Sequence, residues 1–131
     1  MIETLILAAQ LAVASPSPVL PQDWSSLRPL PLAYDPGDAP NLSAFVQGEV
    51  KAGRCAAAVA TSGGWVLKID LAVLVGPAAQ PRRVVPRAID CPSVEQYAAG
   101  LISSAARGNI PLGTVTPDTW YRTSLTFSWP A

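Results

Sequence analysis

The sequence predicts an α+β domain: two helices packed on one face of a small three-stranded antiparallel sheet, in the order α-β-β-α-β. Three stretches carry that expectation. Trp65, Leu67, Ile69, Leu71, Val73 and Val75 alternate with Val66, Lys68, Asp70, Ala72 and Leu74, the period of two that turns one face of a strand inward. Val94, Tyr97, Ala98, Leu101, Ile102 and Ala105 recur at helical spacing. Tyr121, Thr123, Leu125, Phe127 and Trp129 alternate with Trp120, Arg122, Ser124, Thr126 and Ser128, a second strand with one apolar and one hydroxyl-rich face.

At 131 residues, half of them apolar, the chain has room for one domain with a modest core. Nine basic residues balance nine acidic ones, and no basic cluster runs longer than Arg82-Arg83. Without a net positive field to hold a phosphate backbone, nucleic acid is not an expected partner.

Leu5 to Ala14 form an apolar run of the length of a signal-peptide core, and Ala12-Val13-Ala14 before Ser15-Pro16 is a small-x-small cleavage site. Residues 1–14 therefore read as a signal peptide cleaved after Ala14, which directs the protein to the periplasm. Met1 to Thr4 carry a glutamate and no basic residue, so a retained anchor stays open as the alternative. The run is about half the ~20 residues that a spanning helix needs.

Residues 15–40 hold seven of the fourteen prolines and form a Pro-rich lead segment rather than a helix. Trp24, Leu27, Leu30, Leu32 and Tyr34 are too many apolar residues for a pure spacer, so part of the lead is expected along the domain surface, with a flexible linker as the alternative.

The folded domain is expected over residues 41–131. Asn41 is a good N-cap, Leu42, Phe45, Val46, Glu49 and Val50 share one side at helical spacing, and Gly53 is available as the stop. After Ser62-Gly63-Gly64 comes the long alternating strand, with its odd-numbered face inward. Residues 76–81 punctuate the chain with glycine and proline, and Arg82 to Ile89 read as its hairpin partner, where Pro86 argues for an edge or a bulge. Ser93-Val94-Glu95-Gln96 has the form of a capping box, and Arg107-Gly108 ends the helix it opens.

Histidine is absent, which removes the commonest general base and the usual zinc ligand. Asp70, Asp90, Glu95 and Asp118 are not gathered by any motif. No catalytic residues, metal or cofactor are expected, and the chain reads as a binding module rather than an enzyme. An exported structural or inhibitory domain is the alternative.

Cys55 follows the first helix and Cys91 precedes the second, places that helix-on-sheet packing can bring together. In an exported protein such a pair reads as a disulfide; two buried free thiols or a redox pair are the alternatives.

The helix from Asn41 to Cys55, the hairpin from Val66-Leu67-Lys68-Ile69-Asp70-Leu71 into Arg83-Val84-Val85-Pro86, the Cys91-Pro92-Ser93 lead-in and the strand from Tyr121 to Trp129 together resemble the carboxy-terminal domain of TonB-like energy transducers. The resemblance spans about residues 41 to 129. It implies capture of an extended segment, such as one from a TonB-dependent outer-membrane transporter, by addition to the last strand. Carried onto this chain, the partner-binding strand is Trp120, Arg122, Ser124, Thr126 and Ser128. The lead holds no lysine or glutamate, unlike the spacer of a full transducer, which favours a free-standing periplasmic relative over a membrane-anchored transducer subunit.

Overall fold

Seven elements follow one another in the computed structural model: β1 (Arg28–Pro29), α1 (Ser43–Lys51), β2 (Val59–Thr61), β3 (Gly64–Val75), β4 (Pro81–Pro86), α2 (Pro92–Ala106) and β5 (Thr119–Trp129). Residues 18–33, 36 and 40–131 are described; the expected signal peptide and Tyr34 lie outside them. Among the described residues no helix is long and apolar enough to cross a membrane.

The architecture is α+β, and its sheet is larger than the three antiparallel strands the sequence suggested. It has five strands and is mixed: β3 pairs antiparallel with β5 along one side and with β2 and β4 along the other, while β1 adds to the outer side of β5 in parallel. Both extra strands are very short. β1 is two residues of the Pro-rich lead, one of them Pro29, and β2 pairs Val59, Ala60 and Thr61 with Val66, Trp65 and Gly64 around the two-residue loop Ser62-Gly63. Three exposed residues set no visible period, so neither strand announces itself.

The alternation in β3 decides which way the sheet faces. Leu67, Ile69, Leu71, Val73 and Val75 are buried and join Tyr121, Leu125, Phe127 and Trp129 of β5 under the two helices. From α1 comes Val46, and from α2 come Val94, Ala98, Ile102 and Ala106. Trp65, expected inward, is instead 39% exposed at the end of the strand, opposite Trp129.

The helix starts differ from their sequence signals. A 3-10 turn at Pro40–Leu42 leads into α1, Leu42 is the N-cap, and exposed Asn41 does not cap. The helix is also pinned from outside, because the Ser128 amide donates to Ser43 Oγ at 3.1 Å. Past its end Gly53 takes φ 77, the left-handed geometry that glycine supplies at least cost. In α2 the N-cap is Cys91 and Pro92 occupies the first turn, so Ser93 is not the cap. Only the returning half of the motif forms: the Glu95 carboxylate accepts from the backbone N–H of Cys91 at 3.0 Å and of Ile89 at 3.2 Å.

β4 is shorter than the Arg82 to Ile89 stretch expected, and its edge position accommodates proline at both ends. Its loop back to β3 is closed by the Gly76 amide on Gln80 O at 2.8 Å and carries Ala78 and Ala79 at φ 58 and 54.

Cys55 and Cys91 form the disulfide, with Cα atoms 5.0 Å apart and a sequence separation of 36. Both are buried, and the bond fastens the segment after α1 to the N-terminus of α2.

Candidate functional site

β5 pairs with β3 over its whole length, from Trp65 opposite Trp129 to Val75 opposite Thr119. Backbone groups of successive strand residues point to alternate sides. Two contacts show which residues of β5 point away from β3: Arg122 O accepts from the Leu30 amide at 2.8 Å, and the Ser128 amide donates to Ser43 Oγ. The even-numbered residues therefore face outward, and Ser124 and Thr126 lie between those two anchors. Among the described residues no hydrogen bond reaches the outward N–H or C=O of either.

The five strand residues singled out by sequence do not share one environment. Ser124, Thr126 and Ser128 are exposed, on the sheet face away from the helices. Arg122 is exposed as well, but its Nε donates to Leu27 O at 2.9 Å. Trp120 corrects the expectation of an outward, partner-facing residue: it is 5% exposed, and its indole Nε1 donates to Pro18 O at 2.8 Å.

What covers Trp120 is the lead. Trp24, Ala72, Leu74 and Trp120 form a second, smaller apolar cluster on the outer face, with Leu20, Leu27 and Val85 packed against it. The Arg87 guanidinium lies 4.2 Å from the centroid of the Trp24 ring. The turn that presents Trp24 is capped by Asp23, whose carboxylate accepts from the Ser25 amide at 3.0 Å and the Ser25 hydroxyl at 2.7 Å. These hydrogen bonds, with a smaller contribution from nearby Arg87, hold the Asp23 carboxyl below the usual aspartate range. Sequence reasoning left Trp24 and Leu20 off the site. Their signal was the same apolar content in a proline-rich stretch that argued against a spacer.

Where the lead leaves the outer face, an open groove of about 740 Å³ remains. Its floor is the uncovered half of the sheet, with Lys68 and Asp70 of β3 beside Ser124 of β5, and its walls carry Asp23, Arg87 and Arg122. The groove runs onto the β5 edge at Thr123 and Ser124. Among the described residues neither Lys68 nor Asp70 takes part in an ion pair.

No three acidic or cysteine side chains come together as a metal site among the described residues. Chemically, the arrangement offers, among the described residues, two N–H donors and two C=O acceptors in a row beside a charged groove. No protein-family model, curated protein or solved structure matches this chain.

Proposed function

We propose that this chain is an exported, periplasmic binding module, similar to TonB-like carboxy-terminal domains, that captures an extended segment of a protein partner by strand addition to β5. The single observation that carries the reading is the gap in the β5 edge, where the outward backbone groups of Ser124 and Thr126 have no partner among the described residues. Unpaired strand edges are what a β-augmenting peptide recognises. The buried Cys55–Cys91 bond favours an oxidising compartment, consistent with export. A TonB-dependent outer-membrane transporter is the partner class that the resemblance suggests.

The gap also limits the affinity. Four main-chain hydrogen bonds at about 1 kcal/mol net each correspond to a Kd of about a millimolar before the cost of association is subtracted, so the complex is weaker than that unless side chains contribute. Strand addition to this window engages about five residues of the partner.

The test is a titration of the oxidised chain, followed by amide NMR, with peptides from the amino-terminal plugs of outer-membrane transporters. Shifts concentrated at 123–129 are expected, and Thr126→Pro is expected to abolish them with the fold retained, because that N–H points outward and proline is tolerated on an edge. Binding that shifts other residues only, or that survives Thr126→Pro unchanged, removes the strand-addition role.

A further inference from the structure

We infer that the segment captured at β5 carries an acidic side chain opposite Thr126, received by Lys68. The inference rests on strand addition at this edge and specifies the chemistry of the partner.

Register places the charges. Lys68 sits opposite Thr126 and Asp70 opposite Ser124, all four on the outer face. A strand added to β5 lies about 4.8 Å beyond it, and β3 lies about the same distance on the other side. Side chains of the added strand that point to the outer face therefore look across Ser124 and Thr126 towards Asp70 and Lys68. Because serine and threonine are short, the way across stays open for a long side chain on either strand.

The groove favours negative charge. Its lining holds three cationic and two anionic side chains. Several are already engaged: Asp23 by Ser25, and Arg87 by the Trp24 ring and by Gln22 O at 3.4 Å. Lys68, Asp70 and the terminal nitrogens of Arg122 have no partner among the described residues, which leaves one net positive charge facing the added strand. Asp70 lies in the row of Ser124, so an acidic side chain avoids it best from the Thr126 row, directly across from Lys68. A basic side chain placed there meets Lys68 head-on.

The experiment uses the full oxidised chain and three capped heptapeptides of alternating valine and threonine, whose central residue is glutamate, glutamine or lysine. Amide NMR reports both affinity and place. The expected order is glutamate tighter than glutamine tighter than lysine, with steps of about two- to fivefold at low salt, the range of exposed ion pairs. The steps should shrink at high salt, where screening shortens to a few ångströms. Lys68→Glu is expected to invert the order, and Asp70→Asn to tighten the glutamate peptide about twofold. Equal affinities with shifts at 124–128 overturn the acidic preference and leave strand addition standing, as does an order that survives Lys68→Glu. No shift at 124–128 with any of the three overturns both.

Discussion

Replacing Trp24 with alanine tests whether the lead is part of the fold. The indole is 8% exposed, packed on Ala72, Leu74 and Trp120, with Arg87 over its ring. A buried tryptophan hides roughly 200 Å² of mostly apolar surface, which at about 25 cal/mol per Å² corresponds to about 5 kcal/mol. The unfolded chain already shelters part of that surface and alanine keeps a methyl group, so the expected loss is nearer 3 kcal/mol. The cation–π contact adds about 0.5–1 kcal/mol. Urea unfolding followed by far-UV circular dichroism reads the total, since tryptophan fluorescence changes with the substitution itself. Hydrogen exchange then locates the loss: the Leu30 amide, which donates to Arg122 O at 2.8 Å, should exchange faster in the variant. A loss below about 1 kcal/mol together with unchanged protection at Leu30 would refute the reasoning, because Trp24 would then not hold the lead on β5.

Three further outcomes are expected. Replacing Cys55 and Cys91 together by alanine should cost about 4 kcal/mol in the chain-entropy model for a 36-residue separation, read from urea midpoints against the oxidised parent. Gly64→Ala places a Cβ 2.1 Å from Trp129 O at φ 142, so it should separate the ends of β3 and β5 at a cost of about 1–3 kcal/mol; loss of NOEs between Trp65 and Trp129, with the β3–β4 pairing intact, is the check. Asp23 should titrate below the ordinary aspartate value, so its contribution to the lead's capped turn is complete above about pH 4 and is lost as pH falls through its own lower pKa; Ser25→Ala should move the carboxyl midpoint, followed by carbon NMR, back up.

The long elements were legible because each keeps one period against one core. β3, β5 and α2 show theirs without interruption, and the buried odd-numbered residues of β3 follow directly. What the period does not carry is a second burial on the opposite face. Ala72 and Leu74 read as the solvent side of β3, yet both are buried, since the lead returns across them from residues some 50 positions earlier in sequence. Trp120 was misplaced for the same reason: alternation assigned it correctly to the even-numbered face, and only a non-local contact with Pro18 and Trp24 turns that face into a core. The capping signals failed more locally. Asn41 and Ser93 have suitable side chains, but Pro40 and Pro92 beside them fix the backbone, and the helices begin at Ser43 and Pro92 instead.

The lead and the edge are best understood together. A bare eleven-residue strand edge, like that of β5 without its neighbours, would present a long row of unpaired donors and acceptors, the feature by which sheets associate without specificity. Here β1 occupies one end through Leu30 and Arg122, and Ser43 occupies the other through Ser128. The interval left among the described residues is two outward positions, Ser124 and Thr126, both short and hydroxyl-bearing. Two copies of so brief a window give each other little hydrogen bonding and no apolar contact. Under the proposed strand addition a partner gains more only if its side chains use the charged groove alongside, so selectivity would reside in the groove charges, Lys68 and Asp70 first, while the backbone of β5 would supply the place.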